Sequence, residues 1–182
     1  MQGLGGSNVE NKEKVSELLD RSNYQALSSE LSDFIKEYIQ KLIEDLCTYV
    51  NTDISVGEIT LVEEYQANKE LSQEITGVPA AYSAMDATED VLLAFASDYA
   101  KFAIEEFDVL AKESLLDFLN LHNGLFVVQL SKLNICELSL SVPKQNGAFL
   151  MTSPATGKIT VIPVTFPYGT IRFLLCELDS NN

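Results

Sequence analysis

The chain has 182 residues, 46% of them apolar, enough for one compact domain with a real core. Its 27 acidic residues outnumber 12 basic ones, for a net charge of −15. That balance disfavours nucleic acid and anionic membranes, because phosphate contacts need clustered Lys and Arg. No apolar run reaches the roughly eighteen residues of a membrane span, and no secretory leader is expected from the first residues. The three cysteines, Cys47, Cys136 and Cys176, are odd in number and widely spaced. They fit buried thiols in a reducing cytosol better than a disulfide framework or a zinc site.

"MQGLGGS" is Gly-rich and is expected to be mobile. "VENKEKVSELLDRS" reads as a charged, weakly amphipathic helix with no evident packing partner. Residues 1–28 are therefore taken as a flexible or helical extension, and 29–182 as the main domain. Residues 29–50 form a stronger helix, because Leu31, Ile35, Ile39, Leu42 and Leu46 recur at helical spacing. "EITLVEEY" reads as a strand, and "NKELSQEITGVP" as a polar connection ending at Gly77 and Pro79. "AAYSAMDA" and "DVLLAFA" read as a hairpin turning near Thr88 and Glu89. "SDYAKFAIEEFD" reads as a helix capped by Ser97. A second long helix is predicted over 109–133. Four strands close the chain: "CELSLSVP", "AFLMTS", "KITVIPVTFP" and "TIRFLLCEL", divided by turns at Asn146-Gly147, Gly157 and Gly169. This order implies an α+β fold, an antiparallel-rich sheet backed by long helices. Each half has a long helix followed by strands, though no close repeat is evident.

With one histidine, His122, a His-based triad or a multi-His metal site is poorly supported. His122 lies at the edge of an apolar helix face and is expected to be packed and hydrogen-bonded. The chain has no Walker A, no GxGxxG and no EF-hand spacing, so no metal site is expected. The helix 109–133 carries the one ordered pattern. Glu113, Asp117, Asn120 and Gly124 fall within an arc of roughly 60°. Leu115, Leu119, Phe126 and Leu130 centre on the opposite side. Leu116, Leu121 and Val127 flank the polar stripe and could form the apolar part of a docking surface. By itself such a stripe is compatible with a plain solvated face. Gly124 is compatible with a close helix contact or with room for a partner's backbone. The earlier helix echoes the spacing with Asp33, Glu37 and Gln40.

The string Glu113-x3-Asp117-x2-Asn120-x22-Pro143 resembles the signature of the CheC/CheX/FliY chemotaxis phosphatases, [Asp/Ser]-x3-Glu-x2-Asn-x22-Pro. The resemblance spans roughly residues 29–178, and the single motif in the second long helix is most similar to CheX. It implies a CheC-like fold and hydrolysis of the aspartyl phosphate of a CheY-type response regulator in chemotaxis or two-component signalling. Asn120 matches the amide that orients the attacking water. Asp117 stands where the family has a Glu that pairs with the regulator's lysine, and is one methylene shorter. Glu113, Leu116, Leu121 and Gly124 would contact the partner. Glu37 and Gln40 would mark a degenerate second site, with Gln in place of Asn and no proline at the matching distance. The resemblance implies no cofactor of the chain's own, magnesium on the partner regulator, a cytoplasmic location and a homodimer. The shortened acid leaves a second expectation open, a non-catalytic module of the same fold that docks a response regulator or motor-switch protein.

Overall fold

The computed structural model describes residues 6–133, 137–154 and 157–178. The N-terminal elements are α1 (Gly6–Asp20), α2 (Tyr24–Leu27) and α3 (Asp33–Tyr49). Five strands follow: β1 (Ser55–Val56), β2 (Thr60–Val62), β3 (Glu64–Ala67), β4 (Glu70–Gly77) and β5 (Ala80–Asp86). Then come α4 (Glu89–Ala100) and α5 (Val109–Lys132). The chain ends with β6 (Leu138–Leu140), β7 (Lys144–Asn146), β8 (Phe149–Thr152), β9 (Ile159–Phe166) and β10 (Gly169–Leu178).

Helix α3 starts at Ser32, whose hydroxyl accepts the Ile35 N–H. The Asp108 carboxylate caps α5 by accepting from Leu110 and Ala111. Both helices bury an apolar stripe, Ile35, Ile39, Leu42 and Leu46 on α3 and Leu115, Leu119, Phe126 and Leu130 on α5. They meet through Phe34 and Tyr38, whose rings sit edge-on to Phe126 at 5.1 and 5.2 Å. Val15, Leu18 and Leu19 of α1 join the same core.

The main sheet runs β1-β9-β10-β5-β4-β6, with β2 also on β9 and β7 also on β4. Every pairing in it is antiparallel. The hairpins β4–β5 and β9–β10 meet side by side at the centre, with Phe173 opposite Met85. The short strands after α3 pair with β9, and those after α5 pair with β4. Each half thus edges the other half's hairpin, which gives the fold its approximate internal two-fold. One sheet face, including Ile75, Met85, Ile162 and Phe173, packs on the helices. The other, including Ala84, Val161 and Leu174, packs on Met151 of the small β3–β8 sheet.

The α+β architecture and the continuous helix α5 agree with the sequence reading; several local readings do not. "NKELSQEITGVP" is not a connection but β4, an inner strand of the sheet. Its polar residues are buried because they are paired: Glu70 accepts from Ser72, Tyr82 and Asn146. The hairpin partner of "AAYSAMDA" is this strand, through a turn at Gly77 (φ 131°). "DVLLAFA" is helical, and Thr88 is the N-cap of α4 rather than a turn residue. Ser97 lies inside α4, where its hydroxyl donates to the Leu93 carbonyl. The helix ends at Lys101, which adopts the left-handed conformation (φ 62°). Strand β7 was not anticipated. Of the Gly-rich start, residues 1–5 lie outside the described residues and Gly6 and Ser7 open α1. Cys136 also lies outside them, while Cys47 and Cys176 are buried.

Candidate functional site

Helix α5 carries Glu113, Asp117 and Asn120 to the surface on one face. Opposite them runs the segment 140–143 that leaves β6. Together Glu113, Leu116, Asp117, Asn120, Leu140, Ser141, Val142 and Pro143 line an open groove of about 460 Å³. The amide and the proline that stand 23 positions apart in the chain are thus opposing walls of one cleft. Val142 is 82% exposed at its rim, an apolar side chain left to solvent.

The two polar residues of the motif are held from behind. Tyr99 of α4 donates its hydroxyl to Asp117 Oδ2 at 2.7 Å. Burial and then the carboxylate beside it push the Tyr99 phenol well above its usual range, so it remains a donor. The other carboxylate oxygen has no hydrogen bond among the described residues, and Glu113 has none either. Asn120 Oδ1 accepts from Gln73 Nε2 at 2.7 Å. Gln73 is fully buried on β4. Its Nε2 also donates to the Ser141 carbonyl at 2.9 Å, and its Oε1 accepts from Asn123 Nδ2 at 2.9 Å. A backbone carbonyl can only accept, so the Ser141 contact fixes which way the Gln73 amide points. Asn120 must then turn its oxygen inward. Its NH2 group and the second lone pair of its carbonyl remain available.

No protein-family model and no curated protein matches the chain. Solved structures do. It resembles the chemotaxis protein CheX from Desulfovibrio desulfuricans, with a TM-score of 0.66 over 81% of this chain and all of that one, at 13% identity. A CheC-like superfamily protein from Shewanella sp. PV-4 gives 0.68 over 82% and 99%, at 17% identity. CheX in a CheX-CheY-BeF3-Mg complex from Borrelia burgdorferi gives 0.64 over 81% and 99%, at 15% identity. The chain has the CheC-like fold.

In this CheC-like fold α3 and α5 hold related positions, and the echo of the motif on α3 has a different setting. Gln40 donates to the Tyr24 hydroxyl at 3.0 Å, and Glu37 accepts from Gln129 of α5 at 2.9 Å. Both line a cavity of about 700 Å³ walled by α1 through Lys12, Val15, Ser16 and Leu19. The α3 pair therefore sits beside the N-terminal helix, with Glu37 half-buried and Gln40 exposed, where the α5 pair faces the Pro143 groove. Leu116 lines the α5 groove, while Leu121 and Gly124 are half-buried outside its lining. A Cβ added at Gly124 would meet only Leu140 Cδ1 at 3.9 Å, so no close helix packing requires the glycine.

His122 is fully buried and donates from Nδ1 to Asp45 Oδ2 at 2.8 Å. Asp45 in turn pairs with Lys41 at 2.8 Å. Burial holds the imidazole below its usual range despite the carboxylate, so it is neutral near pH 7. Among the described residues no cluster of three or more His, Cys, Asp or Glu is arranged to hold a metal. No described helix is long and apolar enough to cross a membrane. Sequence reasoning missed Gln73 because its strand reads as a polar connection, and Tyr99 because its segment, although read as a helix, does not show its partner on α5. The alternation of Leu71, Gln73 and Ile75 before the Gly77 turn was the available signal for β4.

Proposed function

We propose that the chain is a CheX-like phosphatase that hydrolyses the aspartyl phosphate of a CheY-type response regulator. The observation that supports this best is the joint exposure of Asp117 and Asn120 on α5, facing Pro143 across one groove. An acyl phosphate is already activated, so positioning and charge placement suffice. In this reading the regulator's phosphoryl group and its magnesium enter with the partner. Asp117 pairs with the regulator's lysine through its free oxygen. Asn120 holds a water in line with the phosphorus. That water attacks, the bond from phosphorus to the aspartyl oxygen breaks, and inorganic phosphate and the free carboxylate leave. The homodimer common in the resembled family belongs to the same reading, and sedimentation velocity would test it.

The test is phosphate release from a panel of phosphorylated response regulators, with and without this protein. Acceleration of at least one supports the reading. A second reading is a docking module without catalysis, favoured by the short Asp117, whose carboxylate is held back by Tyr99. Binding of a phosphorylated regulator without acceleration, and no gain on Asp117→Glu, would establish that reading instead.

A further inference from the structure

We propose that Gln73 is the positioning residue of this site, orienting Asn120 and tying it to the Ser141–Pro143 wall. The inference rests on the phosphatase reading above and adds a residue that the motif does not contain. Gln73 lies on an inner strand and is fully buried, with every polar atom of its side chain committed. Its nitrogen bridges Asn120 on one wall of the groove and the Ser141 carbonyl on the other. Its oxygen is pinned by Asn123, one turn along α5 from Asn120. Ser141 is itself fixed to β4, since its N–H donates to the Glu74 carbonyl and its hydroxyl accepts the Glu74 N–H. The 22-residue gap between Asn120 and Pro143 is thereby spanned in space by one side chain. An exposed Asn free to rotate would present its oxygen and its NH2 group alternately to a water. With Gln73 behind it only one orientation satisfies the buried amide, since the other would leave a buried donor unpaired.

Gln73→Met keeps the volume and removes every hydrogen bond. At saturating phosphorylated regulator its turnover should fall at least about tenfold, with the half-saturating concentration within about twofold of wild type. The double variant with Asn120→Ala should be no slower than Asn120→Ala alone, because Gln73 acts through that amide. Full turnover in Gln73→Met, or a double variant slowed by both factors, overturns the proposal while leaving the phosphatase reading intact. If Gln73→Met lacks a cooperative thermal transition, Gln73→Leu takes its place with the same criteria, since it has no group that can donate to Asn120. If wild-type protein accelerates no regulator, the phosphatase reading fails, and ¹⁵N relaxation of the Asn120 side-chain amide decides the positioning. An amide ordered in wild type and mobile in the Gln73 variant supports the proposal. Equal mobility in the two overturns it.

Discussion

At the residue scale the proposed function gives the groove two roles, a charge for the partner and an amide for water, and each can be removed alone. Asn120→Ala deletes the amide from an exposed helix position where Ala is well tolerated. Turnover at saturating regulator should drop at least about tenfold, equivalent to roughly 1.4 kcal/mol of barrier, with affinity changed less. A variant as fast as wild type would make the stripe a mere polar face. Tyr99→Phe probes the other role. It removes the hydroxyl that holds Asp117 Oδ2 at 2.7 Å and leaves the ring against Phe118. Because Asp117 is exposed, folding stability should change by less than about 1 kcal/mol. The half-saturating regulator concentration should rise several-fold, since the docking carboxylate loses its orientation. Unchanged affinity would show that Tyr99 does not serve Asp117.

At the scale of the element, α5 is one uninterrupted helix that spends a glycine in its interior. Gly124 lies inside Val109–Lys132 with room for a Cβ, whose nearest neighbour would be Leu140 Cδ1 at 3.9 Å. Gly124→Ala should therefore stabilise the fold by up to about 1 kcal/mol, read as a higher urea midpoint. If the partner's backbone passes over this position, the same change should weaken regulator binding. A lower midpoint would mean that the helix needs the glycine for its own packing. The legibility of the other elements follows from the same physics. Helices α3 and α5 were readable because Ile35, Ile39 and Leu42, or Leu115, Leu119 and Phe126, repeat with the helical period. The motif itself was legible because its residues share one face. Strand β4 was not, because Glu70, Ser72 and Gln73 look like loop residues until their partners Tyr82, Asn146, Asn120 and Asn123 are placed around them. Local sequence shows a polar side chain but not the tertiary partner that makes it buriable. Helix α4 was misread for a related reason: Thr88 and Glu89 serve equally in a turn or at a helix start. Gln73, which supports Asn120 from behind, lay in the misread β4 segment, while Tyr99 lay in a segment rightly read as helical whose start was placed at Ser97 instead of Thr88.

At the scale of the whole molecule, the seam between α3 and α5 buries the chain's single histidine. His122 stands two residues beyond Asn120, edge-on to Tyr38 of α3 at 4.8 Å and stacked on Phe118. The charged groups facing it, Asp45 and behind it Lys41, both come from α3. Burial lowers its folded-state pKa below the usual value of 6.5, so the unfolded chain binds a proton that the folded chain refuses. The sign is then fixed. The neutral imidazole contributes its full stability above about pH 7. As pH falls below about 6.5 that contribution declines, and the loss is complete once pH has passed through the depressed folded value. The slope can reach about 1.4 kcal/mol per pH unit for one proton. Urea unfolding at pH 7.5, 6.5 and 5.5 should show this decline in wild type, in a window above the titration of ordinary carboxylates. His122→Gln keeps a donor for Asp45 and cannot titrate, so its stability should be lower at pH 7.5 but nearly flat across the same range. A flat wild-type profile would mean that Asp45 just offsets the burial, and a profile rising towards acid would mean that it outweighs it. A decline in wild type that persists unchanged in His122→Gln would assign the pH sensitivity to another part of the molecule and leave the α3–α5 seam indifferent to acid.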